Sequence, residues 1–378
     1  MTEKYNIAII GAGPAGIAAA AALLKKDPAL KDEIIILEKA HHPRPKLCGG
    51  GLTPWADEML DSLDLHVEVP SFQLESVAFY LYEKPIYFET SEFMRTIRRN
   101  EFDAALVTKI RKKGVTVIEG VQITEIHPKQ NEVILESPAG TFSADIVIGA
   151  DGVKSLVRRQ LMREKVSRIS RLLEVLIPID KNQLTPEFEN KMAVLDFTAI
   201  RHGLQGYIWD FPSFIDGEPY LNSGIFDARV NAGKRADLPA LLQAHIQKKG
   251  INSDFKIEGC PERWYHPKQQ VSCPRVVLTG DAAGIEPWLG EGISTALSYG
   301  PIVADAVFKA LQTGDYSFSD YARTLKRTSL GWYLNRKRNV AQLIYRPGFY
   351  RLLPAFGHVL SWYMTLQNKQ PVNSSNIK

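Results

Sequence analysis

Six residues near the start of the chain, Gly11-Ala12-Gly13-Pro14-Ala15-Gly16, restrict the fold more than any other part of the sequence. They follow a β-branched run, residues 5–10, and precede an alanine- and leucine-rich stretch that reaches Lys25 and Lys26. The run predicts a buried parallel strand, and the stretch a helix. Residues 33–37, Glu-Ile-Ile-Ile-Leu, predict a second buried strand that ends at Glu38. Strand, G-x-G-x-x-G, helix, strand, acid is the order of a dinucleotide cradle. Gly11 permits the tight turn, Gly13 lets the backbone approach a pyrophosphate, and Gly16 lets the helix pack close to the strand. The helix that starts by Ala15 presents free N–H groups and the positive end of its dipole to phosphates. Glu38 stands where a carboxylate accepts bonds from ribose hydroxyls, with Lys39 beside it.

Residues 7–24 carry no charge, so a signal peptide or a membrane span is the competing reading. Either one leaves Glu38 and the second strand unexplained. With 378 residues the chain is long enough for two or three domains. Its 45% apolar and 23% charged residues describe a soluble globular protein and exclude disordered, collagen-like and coiled-coil chains. A net charge of +4 is weak for a nucleic-acid binder, so no nucleic-acid partner is expected. Three cysteines, Cys48, Cys260 and Cys273, form no C-x-x-C pair. Neither a disulfide framework nor a metal site is expected, and a reducing cytoplasm fits. No Ser-His-Asp set or P-loop stands out, and His41-His42 reads as a solvated turn.

Two later strand ends repeat the theme. Residues 144–150, Ala-Asp-Ile-Val-Ile-Gly-Ala, predict a buried strand that leads into Asp151-Gly152, with Ser155 and Arg158 following. Residues 275–279 lead into Gly280-Asp281, and Gly290-Glu291-Gly292-Ile293 then opens an apolar helix. With its G-x-G-x-x-G start, D-G turn and G-D segment in this order, the chain resembles the FAD-dependent hydroxylase-type flavoproteins. The first motif alone does not separate NAD from FAD; the resemblance implies FAD as the tightly bound cofactor. It places Asp281 on the ribityl chain or a phosphate, and Gly292 and Ile293 beside the isoalloxazine ring. Arg99, in Arg99-Asn100-Glu101-Phe102-Asp103, matches the arginine that reaches the cofactor. Ile123 would touch the adenine through its backbone. Asp151, Gly152, Gly280 and Gly290 complete the expected cofactor set.

Two further segments, Lys46-Leu47-Cys48-Gly49-Gly50-Gly51 and Tyr207-Ile208-Trp209-Asp210-Phe211-Pro212, are similar to those of the geranylgeranyl reductase family. In that family a C-G-G-type loop lies by the flavin and an aromatic segment lines a lipid pocket. Gly49 and Gly51 would let backbone approach the ring, with Cys48 near it. On a strand, Tyr207, Trp209 and Phe211 share one face. The plain alternative for such a row is core; the resemblance makes it a wall against an apolar substrate, and Trp288, which departs from the family's usual small polar residue, is a further candidate for that wall. The implied reaction is reduction of C=C bonds in a prenyl lipid by hydride from reduced flavin. The proton would come from Cys48, Tyr207 or an ordered water; a thiol of pKa ~8.5 keeps its proton at neutral pH. No second nucleotide motif is evident, so the reductant is a transiently bound NAD(P)H or a ferredoxin. An oxygen-using enzyme, monooxygenase or halogenase, is the alternative, since halogenases carry a related W-x-W-x-I-P segment. A third reading keeps FAD as a structural element without catalysis.

The expected fold is α/β. A discontinuous FAD-binding Rossmann-like domain takes residues 1–54, 98–164 and 266–315. A mostly antiparallel β-sheet substrate domain takes 55–97 and 165–265, with strands at 75–82, 85–89, 171–179, 192–197, 206–211 and 220–226, and a helix at 238–249. Residues 316–378 form a helical segment in which Arg323, Lys326, Arg327, Arg336, Lys337, Arg338, Arg346 and Arg351 alternate with Trp332, Tyr333, Tyr345, Phe349, Tyr350, Trp362 and Tyr363. This is either a lid with a solvated basic face or a surface that rests on anionic lipid at the inner face of a membrane.

Overall fold

The strand that precedes the glycine turn is the middle of a parallel sheet in the computed structural model, which describes residues 3–81, 85–163, 168–251 and 255–352. Glu3–Ile10 runs parallel to Ile34–Glu38 on one side and to Gly140–Gly149 on the other. Thr116–Glu119 extends the sheet beyond the first neighbour, and Val276–Leu278 beyond the second, again parallel. Ile7, Ile9, Ile35, Ile36, Ile146, Val147 and Ile148 are fully buried. Strands covered on both faces need apolar residues at every position, which is why these runs do not alternate. The helix Pro14–Lys26 follows the turn, with Pro14 in its first turn, where a missing N–H costs nothing. The antiparallel hairpin of Glu125–Pro128 and Val133–Ser137 feeds into Gly140–Gly149.

A second sheet of eight strands runs in the order Glu258–Arg263, Ile169–Pro178, Glu218–Asp227, Gly206–Ile215, Met192–Asp196, Ser71–Tyr80, Pro85–Ile97, Gly51–Leu52. Its pairs are antiparallel, except that Met192–Asp196 runs parallel to Ser71–Tyr80. The chain leaves this sheet after Ile97, builds part of the first one, and returns at Ile169, so these two neighbours are not joined by a hairpin. Several strands outrun their expected ends. Gly206–Ile215 continues past Pro212, because its neighbour Met192–Asp196 pairs only with residues 208–210 and leaves that edge open at the proline. The hairpin then turns at Asp216-Gly217, both at positive φ, the chemistry of a tight two-residue turn.

One face of this sheet packs on the helix Leu238–Lys248 through Ile208, Leu221, Ile225, Leu242 and Ile246. The other face carries Tyr207, Trp209, Phe211 and Phe226, and it is covered by the helix Ser329–Ile344 through Ala341, Ile344 and the adjoining Tyr345. The described part of the C-terminal segment is helical at Tyr321–Arg327 and Ser329–Ile344. Trp362 and Tyr363 lie outside the described residues.

Candidate active site

The three glycine-acid turns meet at one end of the parallel sheet, where Ile10, Gly149 and Leu278 end their strands. This is the edge at which open α/β sheets bind ligands. Gly11 has φ +107, and a Cβ there would stand 2.5 Å from the Ala150 carbonyl oxygen. A Cβ on Gly16 would stand 2.0 Å from the Gly11 carbonyl oxygen. The third turn closes on the first, since a Cβ on Gly280 would lie 2.5 Å from that of Ala15. Gly13 caps the helix Pro14–Lys26 without a side chain, so the first N–H groups of the helix stay available.

Around this turn stand the acids and cations. Glu38, buried, accepts hydrogen bonds from the Ala12 and Ala40 amides at 2.8 and 3.0 Å. Lys39 beside it is exposed. Arg99 grips the buried Asp103 with two donors, at 2.8 and 2.9 Å. Arg44 reaches the same carboxylate at 3.2 Å and lies 3.7 Å from the Cβ position of Gly13. Asp151 uses one oxygen to accept from the Leu156 and Val157 amides, while its buried Oδ1 has no partner. Gly152 faces open space at φ +74. Ile123 is buried in the loop after Thr116–Glu119. Free helix amides, a bare Gly13, the Glu38 carboxylate and the unpaired Asp151 oxygen fit the pyrophosphate and ribose of a dinucleotide.

The glycine loop and the aromatic row touch. A Cβ on Gly49 would lie 3.2 Å from both Trp209 Nε1 and the Phe211 ring. Trp209 donates to Asn222 Oδ1 at 3.0 Å, and Asn222 Nδ2 donates to the Cys48 carbonyl at 3.2 Å, so one asparagine ties wall and loop together. Gly224 on the neighbouring strand makes room for the indole, since a Cβ there would lie 2.1 Å from it. Tyr207, Trp209 and Phe211 contact in series, with 6.3 Å between successive ring centroids. All three are buried. Tyr207 donates its hydroxyl to the Leu289 carbonyl, and Tyr345 donates to the Trp288 carbonyl at 2.7 Å. Gly290, Gly292 and Ile293 lie where this loop enters the helix Gly292–Thr313.

Several groups that sequence reasoning passed over hold this loop. Buried Glu286 accepts from the Trp288, Leu289 and Glu291 amides at 2.7, 2.9 and 2.9 Å. Lys337 sits 4.2 Å above the Trp288 ring. Burial pushes the Glu286 carboxyl up, against the pull of Lys337. Burial likewise raises the Cys48 thiol, opposed by Arg99, and raises the Tyr207 phenol well above its ordinary value, helped by Glu262 and Glu286. Glu262 is itself pushed well up by burial and by Asp281, and its Oε2 has no partner. Glu174 rises to about 7 by burial, opposed by Arg98 and the Cys48 amide. An acid between Leu173 and Val175 in the strand Ile169–Pro178 is the one signal that could have pointed to Glu174. Glu125, His127 and Glu136 come within metal-ligand reach of one another on the outer hairpin. There His127 lies 3.1 and 3.4 Å from the two acids.

The FAD binding domain family matches residues 4–202 of this chain. An uncharacterized protein of Methanosarcina barkeri is 28% identical over 86% of this chain and 80% of its own length. The digeranylgeranylglycerophospholipid reductase of Methanosarcina acetivorans is 27% identical over 84% and 78%. Among solved structures, a geranylgeranyl bacteriochlorophyll reductase-like protein from Thermoplasma acidophilum superposes with a TM-score of 0.75 at 23% identity, over 91% of this chain and 87% of that one. The halogenase PltM, in a complex with phloroglucinol and FAD, superposes at 0.67 and 16% identity, over 90% and 76%. The resemblance read from the loop and the aromatic segment agrees with these relatives, and the two structures share the fold.

Proposed function

The chain belongs to the FAD binding domain family, and from that premise we propose that it is an FAD-dependent reductase of C=C bonds in a prenyl lipid. The observation that carries this reading is the contact of the Cys48–Gly51 loop with the Tyr207, Trp209 and Phe211 row. An apolar chain that lies against those rings lies beside the same loop that would face the cofactor. FAD supplies the two-electron redox chemistry when bound. Gly11, Gly13, Ala15 and Gly16 would hold its pyrophosphate, Glu38 its ribose, and Asp151, Gly152, Gly280 and Asp281 the nearer phosphate and ribityl chain. Gly49, Gly51, Gly290, Gly292 and Ile293 would border the ring. Arg99 and Arg44 balance the buried Asp103 and fix the far side of the cradle.

A row of buried rings excludes water and presents no competing nucleophile to an alkene. The proton falls to Cys48 in this reading. Its thiol is held in the protonated form by burial, whereas the Tyr207 hydroxyl is spent on the Leu289 carbonyl. FAD-loaded protein, reduced chemically and sealed from oxygen, is expected to add two hydrogens per reduced double bond to geranylgeranyl diphosphate, read by mass. Cys48→Ala is expected to slow this by about 10²-fold with FAD content unchanged, the lower range for a lost general acid. Turnover that needs oxygen would favour the monooxygenase or halogenase reading, which shares this fold.

Peripheral membrane contact is part of the same reading. No helix among the described residues is long and apolar enough to cross a membrane. The helix Ser329–Ile344 instead covers the aromatic row with one face and exposes Trp332, Arg336, Asn339 and Leu343, followed by Arg346, on the other. Trp332 and Leu343 are 61% and 51% exposed, so this outward stripe offers both apolar and cationic contacts. Co-sedimentation with phosphatidylglycerol vesicles is expected, and Arg336→Glu with Arg346→Glu should lower partitioning at least about ten-fold, since each cation contributes about 1 kcal/mol. Equal sedimentation of both proteins would remove the contact from the scheme.

A further inference from the structure

Beside the glycine loop lies a cavity of about 440 Å³. Of the residues assigned above to the cofactor cradle only Arg44 lines it, and none of the aromatic wall does. Its charged lining is Arg44, Lys46, Arg98 and Lys256 against Glu174 and Glu258. Two of these cations already have carboxylate partners: Lys256 has Glu258 at 2.7 Å, and Arg44 has Asp103 at 3.2 Å, which it shares with Arg99. Lys46 and Arg98 are half-buried, and among the described residues neither forms an ion pair within 4.0 Å. The acids that feel them are Glu174, pushed up to about 7 by burial, with Glu101 beside Arg98 and Glu262 toward Lys46. Half-buried cations without a direct ion pair are costly unless something anionic completes them.

A second feature converges on the same space. Asn100 lines the cavity in the first turn of Arg99–Lys112, a helix of 14 residues whose start has no side-chain cap. Its first N–H groups and dipole face the side on which Arg98 stands. Two cations without a direct ion pair and an uncapped helix start suit a group with several oxygens and more than one negative charge. The volume exceeds what one phosphate fills and leaves room for what the phosphates carry.

We propose that this cavity binds the diphosphate of a second ligand, either a pyridine dinucleotide that serves as electron donor or a prenyl diphosphate. Lys46 and Arg98 take the phosphate oxygens, and the start of Arg99–Lys112 donates to them. The loop 43–47 forms one wall of the cavity and continues into Cys48 and Gly49, so a ligand anchored here lies one loop away from the redox site. The inference goes beyond alkene reduction, because it is read from binding alone and survives if the substrate is another one.

The probe is inorganic pyrophosphate, titrated calorimetrically into FAD-loaded protein. One site per chain is expected, weakened about ten-fold or more in Arg98→Gln and in Lys46→Gln, with FAD content and melting temperature as in the parent. Competition then tells the sources apart. NADH or NADPH displaced by pyrophosphate identifies a donor site, and geranylgeranyl diphosphate displaced by it identifies a head-group site. The proposal is overturned if pyrophosphate does not bind, if the two variants bind it as the parent does, or if it binds only after FAD is removed. That last result would mean that the probe occupies the cofactor's own phosphate subsite.

Discussion

Gly16→Ala is expected to give a protein that purifies without yellow colour. The added methyl would stand 2.0 Å from the Gly11 carbonyl oxygen, a backbone atom that cannot swing aside. Gly11 in turn is pressed against Ala150, with 2.5 Å from its own Cβ position to that carbonyl. The strain therefore passes through the first turn into the Asp151-Gly152 turn. Either the helix Pro14–Lys26 lifts from the strand or the turn opens, and both displace the amides offered to the pyrophosphate. Overpacking of this kind costs about 1–3 kcal/mol of stability. The loss of FAD binding should be larger than the loss of fold. Absorbance at the flavin band relative to protein, together with thermal melting, separates the two. A variant that keeps full FAD content would show that the cofactor does not lie along this turn.

The second large effect is expected on stability, at a place remote from the redox site. Asp210 is fully buried on the face of the second sheet opposite the aromatic row. It accepts from His245 Nε2 at 2.8 Å and lies 2.9 Å from Lys249 Nζ, which also binds Glu187. Burial alone would raise its pKa, but His245 and Lys249 outweigh burial and hold it well below the carboxylate range. Burial would lower Lys249, and Asp210 and Glu187 reverse that and hold it above the ordinary lysine value. Asp210→Ala leaves Lys249 without its main partner, and breaking a buried pair from one side costs about 3–5 kcal/mol. The pH dependence follows from the two directions. The Asp210 contribution is complete above its ordinary value of 3.8 and fades as the pH falls through the depressed one. The Lys249 contribution is complete below 10.5 and fades as the pH rises through the raised one. Parent stability should therefore fall on acidification below about pH 4, and the variant should lose that part of the slope. Denaturant unfolding at pH 7 and pH 3 measures both; an unchanged midpoint at pH 7 would refute the pairing.

Half of the site could be read from the chain and half could not, for a physical reason. The cradle is local. Gly11, Gly13, Gly16 and Glu38 fall within one strand-helix-strand unit, and each residue type is tied to a backbone requirement. The aromatic wall was legible only as a choice between core and ligand surface, and the structure gives it features of both: the rings are buried, yet they lie against the glycine loop. What joins wall to loop is Asn222, which reaches Cys48 across 174 positions of sequence. No periodicity reports a contact of that range. The carboxyls of Glu174, Glu262 and Glu286 escaped for the same cause, since their burial depends on which sheet closes over them. The strand expected at 206–211 runs on to Ile215, because the pairing around Pro212 tolerates a proline there, and no sequence pattern reports which edge is left open.

The outward stripe of Ser329–Ile344 belongs to a segment of one electrical sign. Beyond residue 320 ten lysines and arginines meet no aspartate or glutamate, whereas residues 1–320 hold thirty-six bases and forty-two acids. A chain of such modest total charge is thus strongly polarised from one part to the other. On the proposed contact with an anionic surface, it would experience a torque before it touches anything, and encounters would be sorted by orientation rather than by collision. Added salt, which shortens the reach of that field, should slow correct arrival more than it loosens what has already settled.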